Sequence, residues 1–160
     1  MKTVVIKEYS GYVIPCDYEL NLSKETIKDC VGCWSCWWKT PGRCAFHDID
    51  AFYKEYLSAD KVIIFSKVTK NFVSGNLKTL FDRMIPHFLP YTKMSTGESR
   101  HIPRYDKYPD IELYYQGKFS TIDDKKIYED YIRRTFDMFE SNQVVVKPVE
   151  EFQEKEHTLI

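Results

Sequence analysis

The sequence lacks a long apolar run. None of its hydrophobic stretches approaches the roughly 20 residues that a membrane-spanning helix needs. The chain also begins with a strand-like pattern, where a secretory signal peptide would place a charged and then an apolar segment. We therefore expect a cytoplasmic protein with no membrane partner.

The sequence also lacks an excess of charge of either sign. Its 23 basic and 24 acidic residues are interspersed and give a formal net charge of -1 at pH 7. Proteins that bind nucleic acid gather Lys and Arg on one face, so we expect no nucleic acid partner. No Ser-His-Asp, Cys-His or paired-carboxylate arrangement stands out, so the sequence predicts no catalytic side chain.

What the chain does have is enough length and hydrophobicity for one folded domain. It has 160 residues, of which 43% are hydrophobic and 16% aromatic, and a chain of this size buries a substantial core without disulfides. We predict a single domain over residues 1–160. Within it we expect atypical N-terminal strands in residues 1–29, a cysteine-rich loop in 30–47 and a long surface excursion in 91–110.

The apolar periodicity after the cysteine-rich loop predicts an α/β fold. Helical spacing and buried-strand runs alternate along the chain, in the order helix 49–57, strand 61–66, helix 77–88, strand 111–115, helix 127–139 and strand 144–146. Asp48, Ser74 and either Asp123 or Asp124 are candidate helix caps. This alternation implies right-handed parallel crossovers and a three-layer sandwich, in which ligands bind at the carboxyl ends of the strands.

The N-terminal segment breaks this pattern. Residues 3–6 and 18–22 have strand-like sequences, but the segment between them is short and contains Gly11 and Pro15. It has no room for the crossover helix that a parallel pair needs. We therefore predict an antiparallel hairpin here.

Four of the five cysteines are concentrated in one segment. Cys30, Cys33, Cys36 and Cys44 have the spacing C-x2-C-x2-C-x7-C, while Cys16 lies apart as a predicted free thiol. This spacing suits an iron-sulfur cluster or a zinc site, and it is equally compatible with small buried thiols that hold no metal. The three tryptophans between these cysteines suit a cluster shield, a stacking surface, a buried loop or a dimer interface.

Two further segments carry candidate binding residues. The loop 66–75 joins a buried strand to an amphipathic helix, so its backbone N–H groups face the edge of the sheet. Arg100, His101 and Arg104 lie in the long excursion, where they suit either an anionic substrate or simple solvation. Lys78 and Asp82 are spaced as a surface ion pair.

Taken together, these segments resemble a known family. The strings CVGCWSCWWKTPGRCAFHD, ADKVIIFS, SGNLKTLFDRMIPHFLPY and TGESRHIPRYDKYP resemble the NAD(P)H-dependent FMN reductase and iron-sulfur flavoprotein branch of the flavodoxin-like superfamily. The resemblance covers about residues 28–115. It implies a flavodoxin-like sheet, FMN as cofactor, NAD(P)H and a small electron acceptor as partners, and a homodimer or homotetramer.

The resemblance also implies site residues. A 4Fe-4S cluster would be ligated by Cys30, Cys33, Cys36 and Cys44. FMN would be bound by the loop after one strand and the turn after the next, namely Ser66, Lys67, Val68, Thr69, Lys70, Asn71, Phe72, Ser74, Gly75, Tyr115 and Gly117.

The N-terminus departs from the family pattern. The family opens with a Gly/Ser-rich loop and a helix that together cradle the FMN phosphate, whereas Ile6 is followed here by Lys7, Glu8 and Tyr9. The nest of N–H donors is missing from the sequence, and Glu8 has the same sign of charge as the phosphate. Two lysines of the ring loop, Lys67 and Lys70, are candidate replacements for those contacts.

The sequence therefore supports three functional hypotheses. The first is an FMN-dependent NAD(P)H oxidoreductase, in which the flavin performs the electron chemistry. The second is a flavin-free module that retains the fold for binding or assembly. The third is an electron carrier with an iron-sulfur cluster on the four cysteines.

Overall fold

The structure is a computed structural model that describes residues 1–152. Its strands are β1 (Thr3–Lys7), β2 (Tyr18–Asn21), β3 (Lys61–Thr69), β4 (Phe72–Val73), β5 (Phe88–Ser95), β6 (Glu98–Pro103), β7 (Asp110–Gln116) and β8 (Val144–Pro148). Its α-helices are α1 (Ser35–Trp38), α2 (Asp50–Ser58), α3 (Gly75–Asp82) and α4 (Ile122–Met138). Two 3-10 turns, Ile85–His87 and Val149–Glu151, complete the elements of these residues.

A parallel sheet forms the centre of the molecule. Its strand order is β2-β1-β3-β7-β8, and all four neighbouring pairs on this path are parallel. The short strand β4 adds to the end of β3 in an antiparallel pair. This order, with the reversal between β1 and β3, is that of a flavodoxin-like doubly wound sheet. The predicted fold class is confirmed.

The predicted N-terminal hairpin is wrong. β1 and β2 are parallel, with Val4 opposite Tyr18 and Lys7 opposite Asn21. The connection 8–17 returns to the start of the sheet without a helix, and its end is held by the N–H of Asp17, which donates to the Thr3 carbonyl at 2.9 Å. A non-helical connection thus suffices for a parallel pair when its own side chains pack onto the sheet.

The two faces of the sheet are covered differently. One face packs against α2, α3 and α4 and forms the larger core, with Val62, Ile64 and Leu113 fully buried. The opposite face forms a smaller core in which Ile63 and Phe65 are covered by aromatic and aliphatic residues of the connection 8–17 and by Val149 and Phe152. Among residues 1–152 the second covering layer of the sandwich is therefore irregular chain and a 3-10 turn.

The helix caps differ in part from the predictions. The hydroxyl of Ser74 accepts the Leu77 N–H at 3.1 Å, which confirms Ser74 as the cap of α3. Thr121 caps α4 and forms a capping box with Asp124, because Thr121 stands three residues before an acidic side chain. Asp48 does not cap α2, since its carboxylate is used elsewhere.

The predicted excursion 91–110 is more regular than expected. Most of it belongs to the antiparallel hairpin β5-β6, whose turn places Thr96 at φ 52 and Gly97 at φ 81. Two positive φ values suit a two-residue hairpin turn. Residues 90–94 of β5 are all exposed and most of β6 is half-buried, so the two strands lack the apolar alternation by which strands are recognised. No helix of residues 1–152 is long and apolar enough to cross a membrane.

Candidate functional site

The four clustered cysteines line a single cavity. It has a volume of about 300 Å³ and lies between the loop that contains α1, the loop before α2 and the turn after α3. Its walls also include apolar side chains, among them Val31, Trp34, Phe46, Ile85 and Pro86. The segment predicted to be a cysteine-rich loop thus closes around an apolar space.

The thiols are free and differ in exposure. Cys30 and Cys33 are exposed, whereas Cys36 and Cys44 are half-buried. Burial, together with repulsion from the neighbouring Cys44, Cys30 and Cys33, raises the pKa of the Cys36 thiol to about 11. Hydrogen bonds from Ser35 lower the pKa of Cys33. The exposure of Cys30 and Cys33 disfavours the interpretation that all four are small buried hydrophobes.

The backbone bends sharply where the cysteines are closest in sequence. Gly32 has a φ of 64 and Trp34 a φ of 57. Such left-handed residues reverse the chain between successive cysteines and let them approach one centre from a single loop. Trp34 stacks on Trp37 at 4.7 Å between ring centroids, and the Trp37 indole N–H donates to the Phe88 carbonyl at 3.0 Å. The tryptophans therefore fix this loop against β5.

A buried arginine borders the cavity. The side chain of Arg83 is 1% exposed and donates from Nη2 to Asp48 Oδ1 at 2.5 Å and to Cys44 Sγ at 3.2 Å. Its Nη1 donates to the carbonyl of Lys28 at 2.5 Å. The hydrogen bonds from Arg83 lower the pKa of Asp48 to about 2. One guanidinium thus ties the start of the cysteine loop to its end.

Among residues 1–152, no three His, Cys, Asp or Glu side chains converge closely enough to hold one metal ion. This finding supports neither a zinc site nor the predicted 4Fe-4S cluster on the four cysteines. An iron-sulfur cluster has different needs, because its four cysteine ligands bind different corners of a cube that itself fills space. Four thiols that line one cavity fit a 4Fe-4S cluster in donor type and number.

The carboxyl edge of the sheet is filled by the chain itself. The Glu8 side chain follows β1 and is 5% exposed. Its carboxylate accepts the Lys67 N–H at 2.8 Å and the hydroxyl of Ser74, the residue that caps α3. Burial raises the pKa of Glu8, while the hydrogen bonds from Ser74 and Lys67 lower it in part. The two hydrogen-bond donors next to β1, the Lys67 N–H and the Ser74 hydroxyl, are therefore already used by the carboxylate of Glu8.

The two loops that would border a flavin ring are in contact. Lys70 and Asn71 form the turn between β3 and β4 with φ values of 49 and 63, and Asn71 Oδ1 accepts the N–H of Ser120 at 2.9 Å. A Cβ on Gly117 would lie 2.9 Å from the Cβ of Val68. The loop after β7 therefore lies directly on the end of β3.

The other residues predicted to bind FMN have structural partners. The hydroxyls of Ser66 and Tyr128 are 2.8 Å apart inside the core, and the Tyr115 hydroxyl donates to Glu129 at 2.7 Å. The ring of Phe72 packs on Tyr131. The rest of the predicted set lies along the surface of the same hairpin and helix start, with exposed side chains at Lys67, Thr69 and Lys70 and the first residue of α3 at Gly75.

These contacts test whether FMN fits. A phosphate dianion needs N–H donors or cations, but the donors at this edge hold Glu8 and no helix begins within residues 8–17. The loops after β3 and β7, which the resemblance would put on either side of the ring, contact each other through Asn71 and Ser120. The backbone donors at this edge are therefore already used by Glu8, while the side chains of Lys67 and Lys70 are exposed there.

The residues of the long excursion do not form an anion site. Arg100 pairs with Asp137 at 2.6 Å, and Arg104 donates to the carbonyls of Pro86 and Phe88. His101 Nδ1 lies 3.1 Å from the Leu89 carbonyl. Lys78 and Asp82 form the exposed ion pair that their spacing predicts. All these side chains are used to join β5 and β6 to their surroundings or remain on the surface.

Sequence reasoning missed the role of Arg83 and Asp48. Arg83 follows Leu80 by three positions and precedes Met84, both of which are buried, so the helical period predicts that position 83 faces the core. A charged residue on a buried face needs a partner. That mismatch was the signal that could have identified the pair.

Comparison with known proteins agrees with this fold. No family model and no curated protein matches the sequence. The chain is similar to the crystal structures of azoreductase AzrA (TM-score 0.58, 14% identity, 97% of this chain and 91% of that chain) and of Smu.1420 from Streptococcus mutans UA159 (TM-score 0.59, 10% identity, 98% and 93%). It is also similar to an FMN-dependent NADH-azoreductase from Bacillus anthracis str. Ames Ancestor in complex with FMN (TM-score 0.51, 14% identity, 98% and 91%). At such identities the likeness shows the fold, which is flavodoxin-like.

Proposed function

We propose that the protein is an electron carrier that holds a 4Fe-4S cluster on Cys30, Cys33, Cys36 and Cys44. The observation that carries this proposal is the single apolar cavity lined by all four thiols. Such a cluster, when bound, supplies reversible one-electron transfer.

Each part of the cavity wall has a task in this proposal. The four cysteines hold the group, and the apolar side chains of Phe46 and Ile85 keep water from it. Exclusion of water strengthens the electrostatic effect of every nearby charge and dipole. Because Trp34 and Trp37 stack on each other and are fixed to β5, the loop keeps its shape when the group enters or leaves.

The first test is the visible spectrum of the full chain purified without oxygen, together with its iron and sulfide content. We expect a broad brown absorption and about four iron atoms per chain, the content of one such cluster. In Cys36→Ser, which removes a half-buried ligand, we expect the absorption and most of the iron to be lost.

Cys16→Ser is the matched control. Cys16 is also half-buried, but it packs in the smaller core on the opposite face of the sheet. We expect this variant to keep its iron. Retention of iron by Cys36→Ser, or a colourless wild type after loading with ferrous iron and sulfide, contradicts the proposal.

A second candidate is an FMN-dependent NAD(P)H oxidoreductase with a small electron acceptor. The likeness to azoreductase structures favours it, since one of those proteins is FMN-dependent and holds FMN. The buried Glu8 and the closed loops weigh against it. A two-banded flavin spectrum that survives gel filtration after FMN is added, with oxidation of NADH or NADPH, would support this candidate.

The remaining outcome would favour a third hypothesis. A colourless protein that retains neither iron nor FMN would leave the flavin-free binding or assembly module. The exposed Trp34 and Trp38 would then be the first residues to examine in a homodimer or homotetramer. Their size and exposure suit an interface.

A further inference from the structure

The cysteine cavity contains one fixed positive charge in its wall. Arg83 follows α3, and its guanidinium is almost fully buried beside the thiol of Cys44. The pair of Arg83 with Asp48 is unusual for this chain, because the other ion pairs of α3 and its surroundings, such as Lys78 with Asp82, are exposed. A buried guanidinium is costly to desolvate, so its position calls for an explanation.

The pair is asymmetric toward the cavity. Arg83 is among the residues that line the cavity, whereas Asp48 is not. One N–H of Arg83 points at Cys44 Sγ from 3.2 Å, while two others are used by Asp48. The Nε atom of Arg83 is buried without a hydrogen-bond partner among residues 1–152. The cation therefore faces the thiols, and its counter-ion lies behind it.

We propose that Arg83, held by Asp48, sets the reduction potential of the centre bound by the four cysteines. Arg83 is a positioning residue, because it acts through the sulfur of Cys44. This inference rests on the proposed cluster and goes beyond it by naming the group that tunes it.

The sign of the effect follows from charge. Adding an electron makes a cluster with four thiolate ligands more negative, and N–H donors or a cation near the sulfurs stabilise that reduced form. Arg83 therefore raises the reduction potential. Asp48 is a fixed negative charge farther from the thiols, so it lowers the reduction potential. It also holds the guanidinium of Arg83 against Cys44.

The experiment measures the reduction potential of the full chain loaded without oxygen with ferrous iron and sulfide. The titration is followed by visible absorbance and by electron paramagnetic resonance. In Arg83→Met we expect a shift to a more negative potential. Arg83→Lys keeps the charge but loses the planar fork that reaches Cys44 and Asp48 together, so we expect a smaller shift in the same direction.

Asp48→Asn gives the opposite expectation. It removes a negative charge while its amide oxygen still accepts a hydrogen bond from Arg83, so we expect a shift to a more positive potential. Lys125→Met is the matched control, because Lys125 is a cation of α4 that pairs with Glu129 one turn away, and neither residue lines the cavity. We expect its potential to equal that of the wild type.

The possible results separate the two proposals. A wild type that assembles no cluster overturns the proposed function and this inference with it. A wild-type cluster whose potential is unchanged in Asp48→Asn and Arg83→Lys overturns the inference alone. If Arg83→Met does not fold, those two variants still decide, since a purely structural role of Arg83 would not produce shifts of opposite sign.

Discussion

The cysteine cavity and the carboxyl edge of the sheet use their polar groups in opposite ways. Around the cavity, four thiols line an apolar space of about 300 Å³ and a buried cation points toward it. At the sheet edge, the Lys67 N–H and the Ser74 hydroxyl are used by the carboxylate of Glu8. One region therefore presents donors to a ligand, and the other satisfies its donors internally.

This difference has a physical cause in the connection between β1 and β2. A helix after β1 would direct several free N–H groups at one point, whereas residues 8–17 form no helix. The buried N–H and hydroxyl groups still need an acceptor, because an unsatisfied buried donor costs about 1–3 kcal/mol. Glu8 supplies that acceptor. Under the proposed function, electron transfer would therefore depend on the cavity and not on the sheet edge.

The largest effect that we predict is the acid sensitivity of the region beside the cavity. His87 follows Pro86, which lines the cavity, and is fully buried against the rings of Tyr53 and Tyr56. Burial and, to a smaller extent, the charge of Arg104 lower the pKa of His87 from 6.5 to about 3. Both ring nitrogens lack a hydrogen-bond partner among residues 1–152.

The lowered pKa fixes the sign of this prediction. The folded state keeps His87 neutral, so its stability is present above pH 6.5 and is lost as the pH falls toward 3. Each pH unit below 6.5 lowers the free energy of unfolding by up to ~1.4 kcal/mol, which gives a total loss of about 3 kcal/mol at pH 4. Urea unfolding at pH 7 and pH 4 should show this loss in the wild type and a much smaller one in His87→Leu.

His47→Asn is the control for this titration. His47 is exposed and has a φ of 54, which Asn tolerates. We expect it to retain the acid sensitivity of the wild type. An equal loss of stability at pH 4 in the wild type and His87→Leu would contradict the role of His87.

The next effect concerns the contact that closes the sheet edge. In Gly117→Ala the new Cβ would lie 2.9 Å from the Cβ of Val68 and the residue would keep a φ of 139. Both the clash and the strained backbone destabilise the fold. We expect a loss of about 2 kcal/mol in the free energy of unfolding.

Gly11→Ala separates the two causes. Gly11 has a φ of 137, but apart from its chain neighbours no heavy atom of residues 1–152 lies within 4 Å of the place that a Cβ would take. It therefore experiences the backbone strain without the clash, and we expect a smaller loss than in Gly117→Ala. Equal losses in the two variants would mean that the loop after β7 does not press on Val68.

Much of the fold could be predicted from the sequence. The strand 61–66 has a strong apolar pattern and corresponds to β3. The predicted helix 77–88 is correct only as far as Asp82, where α3 ends, and its last residues form the 3-10 turn Ile85–His87 and the start of β5. The pairing of β1 with β2 could not be predicted, because strand direction depends on how residues 8–17 pack on the sheet. Tyr9 and Tyr12 do so through the ring of Phe65, a long-range contact with no local signal.

The candidate site was only partly predictable. The spacing of Cys30, Cys33, Cys36 and Cys44 identified the segment, and the family resemblance supplied a ligand. The partner of Arg83 could not be identified from spacing, since Asp48 lies 35 positions away and its local context is that of a helix cap. The filling of the sheet edge by Glu8 likewise depends on Ser74, which is 66 positions distant.

The smallest effect that we predict tests the internal anion at the sheet edge. Burial raises the pKa of Glu8, so the folded state is favoured below its ordinary pKa near 4.5 and loses that advantage as the pH rises through the higher folded pKa. Glu8→Gln keeps the acceptor for the Lys67 N–H and cannot ionise. We expect it to be more stable than the wild type at pH 8 by about 1 kcal/mol, the scale of one hydrogen bond.

The pH dependence decides between this explanation and a simple packing effect. In urea unfolding, the advantage of Glu8→Gln should vanish at pH 4, where the wild-type carboxyl is protonated as well, and it should grow as the pH rises above 4.5 toward the raised folded pKa. Glu19→Gln is a suitable control, because Glu19 is more exposed and pairs with Lys7. If the extra stability of Glu8→Gln were the same at every pH, ionisation of the Glu8 carboxyl would not be what opposes folding at this edge. The contrast with the cysteine cavity would then depend on shape alone.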